Sequence, residues 1–472
     1  MNFKFTWLLF LFLSYSIGSA QKEVVSLNIE TTSKLRIKEG YNFLNTKTGD
    51  VLVCLIDKKS GVANLLDKDF NVKSTITFDP PKFDNILGYK IKGNTYEILF
   101  ANNSKKKFSI VSINFDTKRT SQENFKFDFD DEVYLQSVHY NNQLYFFTAN
   151  RDNDFTIRKL DDNKFPILKK TSIHSKNTDQ DLLSVGNFGS MTPKITKIDN
   201  RVPNALEQTA SQIKLYQKEG FIYLPVENQE DLKTSLYTIN LESLTIDQAT
   251  FEYPKGEVGD FGRYNSFILD DKIFQVGSSK KEMKIAVKSF DDKKLKEFYI
   301  EIDKPIDFKN SPIIQDGKTM LPFVNRRELE ETSKFLRKIS SGNIGVTGYK
   351  DDNMYLLTIG GSKELYGGGG MMMVNDGVTM YGGGVPFVQF AFNPTFYSYG
   401  TYTTTKSTFF NTHLDADFNY VPKEESENIF DKIKEYNKGI KFDTAEDVFV
   451  HEGKVYFSSY NSRNKTLKII EI

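Results

Sequence analysis

Seven short hairpin turns, each set between two β-rich runs, constrain this chain more than any other feature. The clearest joins Val448-Phe449-Val450-His451 to Lys454-Val455-Tyr456-Phe457 through Glu452-Gly453. The others lie at Thr48-Gly49, Lys92-Gly93-Asn94, Asn141-Asn142, Glu219-Gly220, Asp270-Asp271 and Asp351-Asp352-Asn353. Asn, Asp and Gly recur at these places because a tight hairpin needs positive φ, which they tolerate best. Past each early hairpin come a polar turn and a third β-rich run, such as Phe108-Ser109-Ile110-Val111, Phe155-Thr156-Ile157, Leu236-Tyr237-Thr238-Ile239 or Lys284-Ile285-Ala286-Val287. A fourth usually follows, as at Phe125-Lys126-Phe127 and Phe298-Tyr299-Ile300.

Four antiparallel strands in about 45 residues, repeated, is the spacing of a propeller blade. The expected fold is therefore an all-β β-propeller with seven blades of four antiparallel strands, or eight if Asp316-Gly317 opens a blade of its own. A pair of β-sandwiches is the competing arrangement, since short strands at regular spacing suit both. The seventh hairpin is followed by one further run, Thr466-Leu467-Lys468-Ile469-Ile470, so the last blade is a strand short. The alternation of Val25, Leu27 and Ile29 with Ser26 and Asn28 offers that strand, and closing the ring with it removes an open sheet edge. One domain is expected over 21–472.

Insertions interrupt the repeat at 174–211, 311–341, 361–412 and 422–440. The first is polar and reads as a long loop with a short helix near Ala205-Leu206-Glu207. In the second, Asn325 and Glu328 read as a helix N-cap with its acid three residues on. Leu329, Leu336 and Ile339 then share a helical face, and Gly342 stops it. The fourth carries a helix over Glu425 to Gly439, with Ile429, Phe430, Ile433 and Tyr436 on one side.

The third insertion is the unusual one. Between Tyr366 and Phe410 the only charged residues are Asp376 and Lys406. Gly367 to Gly370 precede Met371, Met372 and Met373, and Gly382 to Gly384 precede Phe387, Phe390 and Phe392. The Thr-Tyr alternation from Thr401 to Thr408 predicts strands over Phe396 to Phe410. The glycine-tethered part before it predicts a mobile apolar flap. Met-rich surfaces repack against varied partners, and large uncharged apolar patches mark interaction sites. Met371, Met372, Met373, Tyr381, Phe387, Phe390 and Phe392 are the candidate contact residues.

Lys4, the apolar run Trp7 to Leu13 and the small-residue site Gly18-Ser19-Ala20 predict a secretory signal peptide over 1–20. The run is short for a membrane span, and no Cys near the cleavage site supports a lipid anchor. No later apolar stretch has spanning length, so a soluble monomer in the periplasm or outside the cell is expected. Cys54 is the only cysteine, so no internal disulfide can form. It sits in the apolar run Val51 to Ile56 and reads as a buried small hydrophobe. Lys plus Arg equal Asp plus Glu at 62 each, intermixed. That excludes the clustered basic face of a nucleic-acid binder.

The search for chemistry is negative throughout. The four histidines, at 139, 174, 413 and 451, are scattered, with neither HExxH nor a cysteine pair to make a metal site. His139 and His451 occupy the same place before a hairpin turn, which repeat position explains. The acidic run Asp128, Asp130, Asp131 and Glu132 lacks calcium-loop spacing and reads as a solvated loop. There is no Gly-x-Ser-x-Gly elbow, and the glycine run at 367–370 lacks the Gly-Lys-Ser/Thr of a phosphate loop. No catalytic, metal or cofactor residue is assigned.

In its hairpin spacing the chain resembles β-propeller families generally, including WD40-type and kelch-type arrays, over most of 23–472. It lacks the Trp-Asp dipeptide, the kelch double glycine, the sialidase Asp-box and the quinoprotein Trp motif, so no residue role carries over. Its Lys-, Asn- and Phe-rich composition with a plain signal peptide is similar to exported proteins of Bacteroidota. The expected function is an exported, non-enzymatic binding or scaffold propeller that meets a protein or envelope partner through the uncharged insertion. The alternative is a hydrolase or lyase acting on a glycan or peptide at the central mouth.

Overall fold

The computed structural model describes residues 21–29, 37, 39–83, 85–173, 181–185, 191–316, 326–362, 373–374, 377–378, 392–402, 407–425 and 427–472. The expected signal peptide, His174, Asn325, Met371, Met372, Tyr381, Phe387 and Phe390 lie outside these residues, as does the side chain of Met373.

Among the described residues seven sheets are formed, five of four strands and two of five, with two short ribbons besides. Each sheet is one blade. Blades 1 to 5 run in chain order over 39–78, 85–126, 133–172, 195–252 and 263–301. Blade 6 is built from 313–414 and blade 7 from 443–471. The first strands of neighbouring blades lie side by side. Glu39–Leu44 meets Asp443–His451, Asn85–Lys92 meets Val133–Tyr140, and Arg263–Leu269 meets Asn343–Asp351. The approach of blades 1 and 7 is so close that a Cβ on Gly40 would stand 2.3 Å from the Ala445 carbonyl oxygen. Only glycine fits there.

The turns behave as their residues require. Asn141 and Asn142 have φ of 49° and 62°, Asp270 and Asp271 50° and 58°, and Glu452 and Gly453 48° and 79°. Two successive positive φ values match the right-handed twist of the strands they join. The next hairpin in several blades is organised differently. The Oδ1 atoms of Asn102, Asn150, Asn228 and Asn461 accept backbone N–H groups two to five residues on. These side chains satisfy turn amides that the ladder cannot reach.

Closure is made by the N-terminal strand. Lys22–Asn28 runs antiparallel to Thr466–Glu471, with Val25 opposite Ile469 and Leu27 opposite Leu467. Val25 and Ile29 are each 4% exposed. The last blade thus has four strands drawn from both ends of the chain.

Blade 6 settles the count at seven. Ile313–Asp316 and Arg326–Leu329 form a hairpin, but it joins the outer edge of blade 6, with Ile314 opposite Phe409. That pairing corrects the helix expected from Asn325. Residues 326–329 are committed to a ladder, and helix α2, Thr332–Ile339, starts only after them. Phe335, Leu336 and Ile339 are its buried face.

Two further expectations are corrected. The loop read over 174–211 contains a strand, Ile195–Ile198, that pairs in parallel with Ile213–Lys218 at the edge of blade 4. The crossover between them carries the short helix α1, Leu206–Thr209. The strands expected from Phe396 to Phe410 begin only at Ser407. Pro394–Tyr402 is instead a helix, α3. Asn393 caps it by accepting the Thr395 and Phe396 amides, and Pro394 occupies the first turn, where its missing N–H costs nothing. Helix α4, Ile429–Asn437, is capped in the same way by Asn428 and buries Phe430 and Ile433.

Apolar clusters knit neighbouring blades. One joins blades 1 and 2, another 2 and 3, another 3 and 4, a large one 4, 5 and 6, and another 7 and 1. Cys54 lies fully buried in the first of these, and burial holds its thiol far above the ordinary range. Blade 4 also holds a wholly buried ion pair that is hydrogen-bonded to blade 5. Lys214 donates to Glu227 at 2.9 Å, to the Ser211 carbonyl at 2.7 Å and to Asn265 Oδ1 at 3.1 Å. Glu227 also accepts from the Ser266 amide at 3.0 Å, Ser266 Oγ at 2.5 Å, Thr234 Oγ1 at 2.9 Å and the Tyr253 hydroxyl.

Candidate functional site

The junction of blades 6 and 7 is built differently. The second face of blade 7 packs Val448, Phe457 and Ile470 against Phe396 and Tyr399 of α3, Phe430 and Ile433 of α4, and Val202. The helices are wedged where blade would otherwise meet blade. Hydrogen bonds hold α3 in place on two sides. Thr395 Oγ1 donates to Asp199 at 2.6 Å and Ser398 Oγ to Asn204 Oδ1 at 2.6 Å. Asn393 Nδ2 donates to Asp447 at 2.7 Å.

Blade 6 answers this wedge with a polar face. Strand alternation puts Val346, Leu357, Ile359 and Phe410 on the face toward blade 5, in its apolar core. The register then aligns Thr347 with Thr358 and Thr358 with Asn411, and Tyr349 with Leu356 and Leu356 with His413, on the other face. These six side chains line a cleft. Its opposite wall is Pro203 to Leu206, Tyr402 of α3 and Asn428 of α4, with Glu425 and Ser407 at the rim.

Several groups in the cleft are already engaged. Thr358 Oγ1 donates to Asn411 Oδ1 at 2.7 Å, and Asn411 Nδ2 donates to Glu425. Asn428 Nδ2 donates to the Tyr402 hydroxyl at 2.5 Å. Two are not. Thr347 and His413 are each 3% exposed, yet among the described residues Thr347 Oγ1 and His413 Nδ1 have no hydrogen-bond partner; eleven other buried polar atoms share that state, and these two are set apart by lining the cleft. A buried polar atom without a partner costs stability, and a bound group is one thing that can satisfy it. Burial, then the charge of Lys423, holds the His413 imidazole below its ordinary range, so it is neutral at pH 7. Burial likewise holds the Tyr349 and Tyr402 phenols well above theirs. The cleft presents one carboxylate, Glu425, and no free cation among its lining residues.

Of the contact residues expected from sequence, only Phe392 has a described side chain. It packs on Tyr41 and Phe43 of blade 1, ring centroids 6.0 and 5.6 Å away. His139 and His451 are not in equivalent places: His451 flanks its turn, paired with Lys454, while Tyr140 flanks the other and His139 lies one residue back, paired with Leu144. His139 stacks on Tyr89 at 4.0 Å, and His451 meets Phe70 edge-on at 5.6 Å. Within the acidic run, Glu132 is not solvated. It lies inside blade 3, accepting from Arg158 at 2.8 Å and Thr156 at 2.7 Å. Among the described residues no three His, Cys, Asp or Glu side chains gather into a metal site. No helix among them is long and apolar enough to cross a membrane.

The cleft residues themselves escaped the sequence reading. The available signal was Thr347, Tyr349, Thr358, Asn411 and His413 at alternate positions of strands whose other residues are apolar. One such strand in a propeller is ordinary. Three neighbours in register are not, and only the pairing reveals it.

No family description matches the sequence, and no curated protein does. Similar structures exist. Uncharacterized protein lmo1340 from Listeria monocytogenes aligns over 94% of this chain and 97% of its own, at 10% identity and a TM-score of 0.33. The Dos1 propeller aligns over 89% of this chain and 75% of its own, at 8% identity and a TM-score of 0.28. Synechocystis apocarotenoid oxygenase aligns over 57% of this chain and 65% of its own, at 10% identity and 0.28. The molecule they flank is, by its own sheets, a seven-bladed β-propeller closed by its N-terminal strand.

Proposed function

We propose that this chain is an exported, non-enzymatic binding propeller whose ligand site is the cleft between blade 6 and helices α3 and α4. The observation that carries the reading is the pair of buried, unpartnered polar atoms, Thr347 Oγ1 and His413 Nδ1, on a blade face that packs against no other blade. A scaffold with no ligand would gain stability by replacing those two groups with apolar ones. The uncharged insertion leaves blade 6 after Ser362 and returns to it at Ser407, on the rim of the cleft. Met371, Met372, Met373, Tyr381, Phe387 and Phe390 are its proposed partner-contacting residues. Phe392 anchors the segment to blade 1. Export rests on the N-terminal sequence alone. The hydrolase or lyase reading gains no support from the histidines, since the three described ones lie in blades 3, 6 and 7.

The test is a ligand-observed NMR fragment screen on the wild type and on Leu356→Trp, in which an indole fills the cleft. Fragments that bind the wild type should be lost in the variant, with the far-UV spectrum and melting temperature unchanged. Equal binding to both proteins would refute the site.

A further inference from the structure

The cleft has a chemistry of its own, and we infer that it takes a neutral sugar unit. This inference rests on the cleft reading above and adds the class of ligand. Three observations carry it.

The first is charge. His413 is neutral, both phenols are protonated, and the one carboxylate, Glu425, already accepts from Asn411. A cationic or anionic ligand would enter without a counter-charge, and burying an unpaired charge is costly. The second is hydrogen-bond type. Thr347 Oγ1 both donates and accepts, and a neutral imidazole nitrogen does one or the other, while the Asn411 and Asn428 amides are spent on Thr358, Glu425, Tyr402 and the first turn of α4. A ligand that gives and takes hydrogen bonds at both of its ends fits this pair, and the hydroxyls around a sugar ring do so. The third is the aromatic lining. Tyr349 and Phe409 stand on the blade wall and Tyr402 on the helix wall. The C–H face of a pyranose packs on such rings while its edge hydroxyls reach the polar groups.

The row on the blade fixes how the ring would sit. Thr347, Thr358 and Asn411 are directly opposite one another across three strands, and His413 lies two residues from Asn411 along the last. Strands stand about 4.8 Å apart, and residues two apart on a strand about 7 Å. Thr347 and His413 stand on the diagonal of that grid, about 12 Å apart at their backbones, and hydroxyls on opposite sides of one pyranose ring, with a hydrogen bond at each end, reach across it. They would partner Thr347 Oγ1 and His413 Nδ1, the two unpaired buried atoms of the cleft.

The experiment is titration of the intact mature chain with glucose, N-acetylglucosamine and cellobiose, and with glucuronate, glucosamine and glycylglycine as controls. Saturation-transfer NMR and calorimetry are the readouts. A neutral sugar should bind, and Thr347→Val and His413→Phe should each weaken it tenfold or more. Thr347→Val should at the same time raise the melting temperature, because it removes an unpaired buried hydroxyl. That opposition separates a ligand contact from a merely structural residue. If the charged controls or the dipeptide bind the wild type but not Leu356→Trp, the sugar assignment is overturned and the cleft reading stands. If a sugar binds Leu356→Trp as well as wild type, both are overturned. If no compound in the panel binds, the sugar assignment is overturned, and the fragment screen alone decides the cleft.

Discussion

Lys214 and Glu227 form an ion pair with no exposure at all, and the pair makes a quantitative prediction. Removing one member of a buried pair typically costs about 3–5 kcal/mol, because the other is left charged and dry. The surroundings make the two removals unequal. In Lys214→Met, Glu227 keeps the Ser266 amide, Ser266 Oγ, Thr234 Oγ1 and the Tyr253 hydroxyl as donors. Its charge stays well solvated by the protein, and the loss should be near 3 kcal/mol. In Glu227→Leu those donors lose their acceptor together, and Lys214 keeps only two neutral oxygens. Each orphaned buried donor adds about 1–3 kcal/mol, so this loss should exceed 5 kcal/mol. The double variant should cost at least about 2 kcal/mol less than the two singles together. Urea unfolding followed by far-UV circular dichroism and tyrosine fluorescence measures all four corners, since the only Trp is Trp7. Desolvation works to raise the Glu227 carboxyl, but Lys214 and the hydroxyl donors outweigh it and hold it below the ordinary range. Its stabilising contribution is therefore complete above the unfolded value near 4.5 and is lost as pH falls through the folded one. Singles of equal cost, or additivity within about 0.5 kcal/mol, would show that the network does not act as argued.

Three other outcomes are expected. Deleting residues 21–29 exposes the Thr466–Glu471 edge and removes the burial of Val25 and Ile29, worth about 1.5–3 kcal/mol each. Melting temperature should fall and light scattering should report aggregation; an unchanged melt would refute closure as a source of stability. Cys54 should resist thiol reagents in the native protein and react fully in denaturant, so rapid native labelling would show that its strand opens. Burial, then Lys197, pushes His139 down to about 3, so it folds neutral; its contribution is present above pH 6.5 and lost as pH falls toward 3. His139→Phe keeps the stack on Tyr89 and should gain about 1–3 kcal/mol over wild type at pH 4.5 with little change at pH 8; equal gains at both would remove the titration.

The ring was legible because hairpin turns and strand alternation are local. Asn141-Asn142 or Glu452-Gly453 announces a turn within two residues, and seven such announcements fix the blades. Closure was legible too, since Val25, Leu27 and Ile29 alternate and the last blade lacks a strand. What stayed hidden depended on partners far along the chain. Residues 326–329 look helical until Ile313–Asp316 claims them. Tyr397, Tyr399 and Thr401 alternate like a strand, but Asn393 and Pro394 start a helix before the alternation can act. The cleft is the extreme case. Thr347, Thr358 and Asn411 are unremarkable one by one, and become a polar surface only through the register of three strands.

The strand that completes the ring also governs how the ring is made. Glu23 and Lys468, 445 positions apart, meet across the final ladder, and Ser311 waits 100 positions for Asn411 in blade 6. Pairings of such separation must overcome large loop entropies before they return any energy, so this protein should be a slow folder. The first strand to leave the ribosome is the last to find its partner. Until it does, two sheet edges stay open, and an exported chain would need shelter from aggregation for that interval. A product that ends before Thr466 has no partner for its own first strand and cannot close at all.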